Sequence, residues 1–309
     1  MRTETSPENE PAARAIGVFD SGVGGLTVMR ALMKTMPRED IVYFGDTARV
    51  PYGSKSKETI VRFSRQIVSF LRSRSVKAIV VACNTASAYA LEELRGEFEL
   101  PIVGVIAPGA AAAVSATRNG KIGVIGTYAT VESQAYDRAI RALDPALTPI
   151  KTACPLFVPL VEEGLTSGEI TDRVVAYYLS GMKAGDVDTL LLGCTHYPLM
   201  KGAIAAFMGE GVRCIDPAKN TAEELRGILE SAGLLRGGAD VPVKAEYTFA
   251  VSDAEERMTA FANRILPFSI AAAEKIAIES YEPIPHGSFN EERRDRKSTR
   301  LNSSHQPLS

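Results

Sequence analysis

The chain has 309 residues, of which 45% are hydrophobic, and its 35 Lys and Arg residues nearly balance its 37 Asp and Glu residues. This length and hydrophobic content predict a globular protein with two domains. The balanced charge excludes a broad electrostatic field of the kind that holds nucleic acid or an anionic membrane surface, so we expect a small, specifically bound ligand.

The first residues of the chain show no targeting signal. Residues 1–14 are polar and lack a basic stretch followed by the apolar segment of a secretory signal. No apolar run in the sequence reaches the length needed to cross a membrane. We therefore expect a disordered start over residues 1–14 and a cytoplasmic protein with no membrane partner.

The four cysteines stand singly. Cys83, Cys154, Cys194 and Cys214 form no CxxC pair, so the sequence predicts neither a zinc ribbon nor a thioredoxin-type couple, and no metal site. A reducing cytosol argues against disulfides. Buried cysteine most often acts as a small hydrophobe, and we keep that interpretation for Cys154 and Cys214.

Short apolar runs alternate with helical patterns along the chain. This alternation is typical of βαβ units and predicts a doubly wound α/β fold with parallel sheets. The predicted strands cover residues 16–19, 41–44, 78–82, 102–106, 122–125, 189–192 and 247–251.

Helices are predicted between these strands. Residues 57–74 carry apolar side chains on one face and charged ones elsewhere, which predicts an amphipathic helix. Thr221 with Glu224, and Ser252 with Glu255, have the spacing of capping boxes and predict the starts of two late helices.

The sequence contains an approximate internal repeat. Residues 16–21 (IGVFDS) recur as residues 122–127 (IGVIGT), and residues 78–85 (AIVVACNT) recur as residues 189–196 (TLLLGCTH), at nearly the same offset. An apolar strand followed by a small turn residue is common in α/β proteins, so either similarity alone means little. Together they favour a duplication that produced two similar halves.

Two of the cysteines end equivalent strands of this repeat. Cys83 and Cys194 are each followed by two polar residues, which are costly to bury without partners. In an open parallel sheet, ligands bind outside the carboxyl ends of the strands, where helix N termini direct their N–H groups into a crevice. We therefore predict that both thiols face a ligand. The polar neighbours are Asn84 and Thr85 in the first half, and Thr195 and His196 in the second.

A pair of facing thiols suits racemisation of an amino acid. A free thiol titrates near pH ~8.5, and a helix N terminus or a cation lowers its pKa, so a thiol and a thiolate can coexist near neutrality. Racemisation needs a base on one face of the α-carbon and an acid on the other. Cys83 and Cys194 would supply both groups without a cofactor.

Two other functions remain open. A two-lobed amino-acid-binding protein would use the same cleft without chemistry. A hydrolase with Cys194 as its nucleophile and His196 as its base would leave Cys83 without a role.

Further candidate residues lie near the strand ends. Asp20 could orient the thiol on its side of the cleft, as His196 could for Cys194. The glycine-rich turn at 22–25 lacks the third glycine of a dinucleotide-binding fingerprint, so it favours a small anionic group over NAD. Residues 51–53, Thr127 and Thr130 serve either as turn and cap residues or as ligand contacts. Glu162 and Glu163 precede Gly164 at a predicted helix end, where such residues are usually solvated.

Taken in order, the strand-end motifs closely resemble those of the bacterial glutamate racemases, within the aspartate/glutamate racemase family. The resemblance covers about residues 15 to 280 and rests on several separate motifs. These are DSGVGGL at 20–26, PYG at 51–53, CNT at 83–85, Gly126 and Thr127 with Thr130, and GCTHYP at 193–198.

This resemblance implies two pseudo-symmetric α/β domains with the active site in the cleft between them. The first domain would combine residues 15–106 with residues 217–284, and the second would comprise residues 107–216. Residues 285–309 lose all periodicity and are rich in charge and serine, so we expect a disordered tail, with a non-native extension as an alternative.

The resemblance also implies an activity and residue roles. The enzyme would interconvert L- and D-glutamate without pyridoxal phosphate and supply D-glutamate for peptidoglycan. Cys83 and Cys194 would be the acid/base residues, with Asp20, His196 and a glutamate assisting; of the pair 162–163 we favour Glu163. A racemase of another acidic amino acid such as aspartate is the alternative, and a homodimer is compatible. The expected substrate contacts are Asp20, Ser21, Pro51, Tyr52, Gly53, Asn84, Thr85, Thr127, Thr130, Thr195 and His196.

Overall fold

Two parallel sheets organise the protein. The structure, a computed structural model, describes residues 11–237 and 244–281. The strands are β1 (Ile16–Asp20), β2 (Ile41–Gly45), β3 (Ala78–Val81), β4 (Ile102–Gly104), β5 (Ile122–Gly126), β6 (Ile150–Ala153), β7 (Thr189–Gly193), β8 (Arg213–Ile215), β9 (Tyr247–Val251) and β10 (Glu274–Lys275). The first sheet has the order β10-β9-β2-β1-β3-β4, and the second has the order β6-β5-β7-β8. Every pairing between neighbouring strands is parallel. The predicted α/β fold is confirmed.

The two sheets repeat the same connectivity. The order β2-β1-β3-β4 in the first sheet matches β6-β5-β7-β8 in the second. The registers match as well, because Ile16 pairs with Ala78 in the first sheet and Ile122 pairs with Thr189 in the second. These four residues begin the repeated sequences, so the repeat seen in the sequence is a pseudo-symmetric repeat of the fold.

Helices cover both faces of each sheet. They are α1 (Leu26–Thr35), α2 (Lys57–Ser73), α3 (Asn84–Tyr89), α4 (Leu91–Glu97), α5 (Ile106–Ala116), α6 (Tyr128–Glu132), α7 (Ala135–Leu143), α8 (Phe157–Glu162), α9 (Glu169–Ala184), α10 (Lys201–Met208), α11 (Pro217–Ser231) and α12 (Glu255–Ile265), with 3-10 turns at Pro11–Ala13, Tyr52–Ser54, Tyr197–Met200 and Ile278–Ser280. The amphipathic helix predicted over 57–74 is therefore confirmed.

Alternate residues of the strands build separate layers of the core. In the first sheet, Val18 packs with α1 and α11, whereas Phe19 faces α2 on the other side. In the second sheet, Leu190 packs towards α9 and α10, whereas Leu191 faces α5 and α7. The layer that contains Val18 and Leu190 is continuous between the two sheets, so the domains share apolar packing rather than meeting only at their surfaces.

The chain crosses between the sheets twice. It leaves the first sheet after β4 to form α5, and it returns after β8 through α11, which packs against both α1 and α5. Strands β9 and β10 then complete the first sheet. The predicted domain boundaries after residues 106 and 216 lie next to these crossings. Because α11 contacts helices of both halves, the contacts do not fix these boundaries, and they stay a prediction.

The two predicted capping boxes are wrong in detail. Helix α11 begins at Pro217 with Asp216 as its N-cap, so Thr221 lies inside the helix and its hydroxyl donates to the Pro217 carbonyl. Ser252 lies before α12, and its hydroxyl donates to Asp46 instead of capping the helix. In both cases a hydroxyl with the capping spacing has another partner.

Part of the start of the chain is ordered, contrary to the expectation for residues 1–14. Pro11–Ala13 form a 3-10 turn, and the Ala12 and Ala13 carbonyls accept hydrogen bonds from Lys77 and Arg236, each 2.6 Å long. Residues 1–10 and the predicted tail at 285–309 lie outside the described residues. In the described part of the chain, every helix is too short or too polar to cross a membrane.

Candidate active site

A cavity of about 410 Å³ lies between the carboxyl ends of the two sheets. Residues from both halves line it, because β1 and β3 end at one wall and β5 and β7 end at the opposite wall. The predicted residues that line it are Ser21, Pro51, Tyr52, Gly53, Cys83, Asn84, Thr85, Thr127, Cys194, Thr195 and His196. Asp20 and Thr130 lie behind the lining and contact it through Thr195 and Thr85.

Cys83 occupies the start of a short helix. It is the N-cap of α3, and its sulfur accepts a hydrogen bond from the backbone N–H of Ala86 over 3.5 Å, with the Ser21 hydroxyl 3.6 Å away. Burial, reinforced by the carboxylate of Asp20, raises the pKa of the Cys83 thiol to about 12. The sequence analysis expected a helix N terminus to lower the pKa of the thiol. The pKa of Cys83 instead lies above its ordinary value, because desolvation of the thiolate is the larger effect.

Cys194 has a histidine beside it. Its sulfur lies 3.8 Å from Nδ1 of His196, and Nε2 of the same ring lies 3.2 Å from Oε1 of Glu162. Burial lowers the pKa of His196, but the hydrogen bonds to Cys194 and Glu162 outweigh burial and raise it to about 10. The imidazole is therefore positively charged at neutral pH, next to the sulfur of Cys194.

The glutamate at this site is Glu162, not Glu163. Glu162 lines the cavity and contacts His196, and its side chain is 20% exposed. The Glu163 side chain is 72% exposed, and its carboxylate lies 3.8 Å from Arg257 on the outer side. Helix α8 ends at Glu162, so the chain turns Glu163 away from the cavity. The preference for Glu163 is corrected on this geometry.

Asp20 joins the two halves behind the cavity. Its carboxylate is fully buried and accepts hydrogen bonds from the Gly22 N–H at 3.0 Å and from the Thr195 hydroxyl at 3.3 Å. Burial raises the pKa of Asp20, and the nearby His196 opposes that rise. Asp20 therefore lies between the two thiol sites and is bonded to the second domain.

Three threonine hydroxyls form a second bridge across the cleft. Thr85 of the first domain lies 2.9 Å from Thr127 and 3.1 Å from Thr130, and the latter two hydroxyls are 3.0 Å apart. Beside them, the Tyr136 hydroxyl donates to Oδ1 of Asn84 over 2.6 Å. Hydroxyl and amide groups can rotate to offer a donor or an acceptor, which suits this wall for a ligand with carboxylate and ammonium groups.

The turn that contains Pro51, Tyr52 and Gly53 is held from behind. The Tyr52 hydroxyl donates to Asp46, a buried carboxylate that also accepts from Arg49 over 2.8 Å. A side chain at residue 53 would clash with Thr127, because an added Cβ would lie 2.8 Å from the Thr127 Cβ. Glycine here allows close approach of the two domains beside the cavity.

Several site residues were not found from the sequence. Val158 and Pro159 add an apolar wall, and Tyr128 lines the cavity with an exposed ring. Arg257, on α12, donates a hydrogen bond to Glu162, and no local sequence motif predicts this contact. Among the described residues, no three His, Cys, Asp or Glu side chains converge in a way that could hold a metal ion.

Comparison with known proteins identifies the family. The family model of the Asp/Glu/Hydantoin racemases matches residues 16–225. The chain belongs to the Asp/Glu/Hydantoin racemase family. This confirms the resemblance drawn from the strand-end motifs and the expectation of a racemase. All five strand-end motifs fall within the matched region.

The relatives of this racemase cover most of its length. A glutamate racemase from Geobacter metallireducens is 48% identical over 267 residues, which span 86% of this chain and 98% of the relative. The crystal structure of a glutamate racemase isoform from Bacillus anthracis has a TM-score of 0.81 at 40% identity and covers 85% of this chain and 97% of that one. The glutamate racemase from Francisella tularensis, solved in complex with D-glutamate, has a TM-score of 0.80 at 38% identity and covers 87% of this chain and 100% of that one.

Proposed function

We propose that this protein is a glutamate racemase that interconverts L- and D-glutamate by moving protons between the substrate and two thiols, Cys83 and Cys194, without a cofactor. The observation that carries the proposal is that both cysteines line one cavity from equivalent strand ends of two matching sheets. Glutamate as the substrate is supported by the glutamate racemases that this chain resembles. The matched region covers 98% of the Geobacter metallireducens protein and 97% of the Bacillus anthracis protein.

The two thiols would perform complementary proton transfers. The sulfur on one side, as thiolate, takes the α-proton and becomes S–H, while the electron pair of the broken C–H bond stays on the substrate. The S–H on the other side then gives its proton to the opposite face of the α-carbon and becomes thiolate. One turnover therefore exchanges the protonation states of the two sulfurs and inverts the configuration.

The environments of the thiols suggest which one starts as the acid. Burial raises the pKa of Cys83 to about 12, so Cys83 is a neutral thiol able to donate its proton. The protonated ring of His196 lies beside Cys194 and would stabilise negative charge on that sulfur. We propose that Cys83 starts as the neutral thiol and acts first as the acid.

The remaining polar wall would hold the substrate. The hydroxyls of Ser21, Thr85, Thr127 and Thr195 and the Asn84 side chain line the cavity as neutral donors and acceptors. Asp20, Thr130 and the turn at residues 51–53 would support this wall, with Glu162 in the role that the sequence interpretation gave to Glu163.

The decisive test is solvent exchange at the α-carbon. Incubating purified protein with L-glutamate, and separately with D-glutamate, in D₂O should place deuterium at the α-carbon of the product without added pyridoxal phosphate or metal. Polarimetry and proton NMR follow inversion and exchange together. Absence of exchange from both enantiomers would sink the proposal.

The same experiment separates the two alternatives. L-aspartate, tested at equal concentration, should be turned over much more slowly than glutamate; faster turnover of aspartate would reassign the substrate. A two-lobed binding protein would bind L-glutamate, as measured by calorimetry, and return it unchanged with no deuterium.

The biological setting belongs to the same proposal. A two-thiol mechanism needs both cysteines reduced, which fits the cytoplasm. Supply of D-glutamate for peptidoglycan predicts that the chain restores growth of a bacterial strain that requires D-glutamate, whereas a variant without Cys83 does not. A homodimer stays a prediction that light scattering of the purified protein can test.

A further inference from the structure

One face of α12 reaches across to the Cys194 side of the site. Arg257, Phe261 and Arg264 are spaced four and three residues apart, so they lie on the same side of the helix. This helix follows β9 of the first sheet, whereas Glu162 ends α8 in the second half of the fold. Contacts between them therefore cross from one domain to the other.

All three residues of this face approach the pair formed by Glu162 and His196. Nη2 of Arg257 donates to Oε2 of Glu162 over 2.9 Å, and Nη2 of Arg264 donates to the Glu162 carbonyl over 3.3 Å. The buried ring of Phe261 lies 6.3 Å from the imidazole of His196, measured between ring centroids. The two oxygens of Glu162 thus have separate partners, Arg257 on one side and His196 on the other.

We propose that Arg257 is a positioning residue that holds Glu162 against His196 across the domain interface and thereby fixes the imidazole beside Cys194. This inference rests on the proposed function for its kinetic consequence, but its structural claim stands on these contacts. A carboxylate with both oxygens bonded cannot rotate freely, so the Arg257 contact sets the direction of the oxygen that His196 meets.

The charges around His196 give the proposal a measurable signature. The charged or titratable groups that face the ring are Cys194, Glu162 and Asp20, with Arg257 behind Glu162. Loss of the Arg257 cation alone would raise the pKa of His196, but the arginine side chain is 60% exposed and water screens its charge. Misalignment of Glu162 would lower the pKa of His196, and we expect this effect to prevail.

The test compares Arg257→Gln with a matched control, Arg173→Gln. Arg173 forms an exposed pair with Glu169 over 2.6 Å on α9, away from the cavity. For Arg257→Gln, we expect kcat to fall about 10-fold with KM within about twofold, because Arg257 is not among the residues that line the cavity. The alkaline limb of its kcat–pH profile should move to lower pH. Arg257→Lys should recover part of kcat, and Arg173→Gln should match the unmodified protein.

A double variant separates positioning from a general effect. When Glu162→Gln is already present, adding Arg257→Gln should cause no further loss of kcat, because the arginine acts through the Glu162 carboxylate. Losses that multiply in the double variant, or an Arg257→Gln protein indistinguishable from the Arg173→Gln control, would overturn the proposal.

A readout that needs no turnover keeps this inference separate from the proposed function. In ¹⁵N-histidine NMR, the signal missing from a His196→Gln variant identifies His196, and its titration midpoint should fall in Arg257→Gln. An unchanged or raised midpoint rejects the positioning role. If the unmodified protein fails to racemise glutamate while this midpoint falls, the proposed function is wrong and the contact between Arg257, Glu162 and His196 still stands.

Discussion

The two thiol sites have the same place in the fold and different surroundings. Cys83 follows β3 and Cys194 follows β7, which are equivalent strands of the two sheets. Cys83 caps a helix and has two neutral partners, the Ala86 N–H and the Ser21 hydroxyl, whereas Cys194 has the imidazole of His196, backed by Glu162. Repetition of the backbone therefore placed two thiols at equivalent positions, and side chains that differ between the two halves made them chemically unequal.

This difference shows how a pseudo-symmetric cleft can start each turnover from a defined state. Two identical thiols would share one negative charge at random between the two sides. Burial near Asp20 raises the pKa of Cys83, and the imidazole of His196 next to Cys194 would stabilise negative charge on that sulfur.

The largest effect should come from removing either sulfur. Cys83→Ser and Cys194→Ser should each lower racemisation by about 10³-fold or more, since an alcohol is a far weaker base and acid than the thiol pair requires. Each variant keeps one of the two cavity cysteines, so each should still exchange solvent deuterium into one enantiomer without inversion, and the two variants should act on opposite enantiomers.

Cys154→Ser and Cys214→Ser are the matched controls for that comparison. Both side chains are buried, and neither lines the cavity. Both variants should racemise glutamate within a few-fold of the unmodified rate. Exchange into the same enantiomer by both active-site variants would contradict the placement of the thiols on opposite faces of the substrate.

Replacing His196 should affect only the Cys194 side. His196→Gln should lower kcat by about 10²-fold, because the cation beside Cys194 is lost while Cys83 keeps its partners. Deuterium exchange by a His196→Gln/Cys194→Ser protein should equal that of Cys194→Ser alone. Further loss in the double variant would mean that His196 also serves Cys83.

The same variant predicts a pH dependence of stability. The pKa of His196 is about 10 in the folded protein and about 6.5 in an unfolded chain, so its protonated form favours folding. This contribution is complete below about pH 6.5 and is lost as the pH rises through about 10. The difference in unfolding free energy between the unmodified protein and His196→Gln, from urea titrations, should therefore shrink over this range; a constant difference would contradict the charged imidazole.

A smaller loss is expected from a methyl group placed between the domains. A Cβ added at Gly24 would lie 2.5 Å from Nδ1 and 2.6 Å from Cε1 of His196. Gly24→Ala should displace the imidazole and lower kcat about 10-fold. Gly96→Ala is the control, since an added Cβ there meets nothing within 4 Å, and it should leave kcat unchanged and the melting temperature equal or higher.

The smallest effect is expected on the Cys83 side. Ser21→Ala removes the hydroxyl 3.6 Å from the Cys83 sulfur and should lower kcat only about three- to fivefold, the size of one neutral hydrogen bond. The ratio of the kcat loss in Ser21→Ala to the kcat loss in His196→Gln measures how unequal the two thiol sites are. A Ser21→Ala loss as large as that of His196→Gln would remove the distinction between the two sites.

The central strands were predictable from sequence because burial on both faces requires continuous apolar runs. The strands β1, β3, β5 and β7 follow such runs closely. Of the four edge strands in the described residues, β4 was predicted and β6, β8 and β10 were missed, since an edge strand is covered on fewer sides and needs fewer apolar residues. In β6, Ile150 is exposed and the next three residues are only partly buried, and β10 is the exposed pair Glu274–Lys275.

Site residues carried by the strand-end motifs were placed at the cavity from sequence, because strand ends of a parallel sheet meet at one edge. Choosing between Glu162 and Glu163 needed the phase of a six-residue helix, and composition does not give that phase. Arg257 was beyond reach for another reason. It meets Glu162 through a side-chain contact between the start of α12 and the end of α8, which are distant in the chain.

The late return of the chain to the first sheet has a consequence for biosynthesis. As the polypeptide leaves the ribosome, β5 to β8 can pair before β9 exists, whereas β2 keeps an unpaired edge until residues 247–251 emerge. An exposed strand edge invites aggregation, so the half of the fold made first is the last to be protected. Arg257 emerges after β9, so a nascent chain cannot complete its Glu162–His196 contact before nearly all of the protein has been translated.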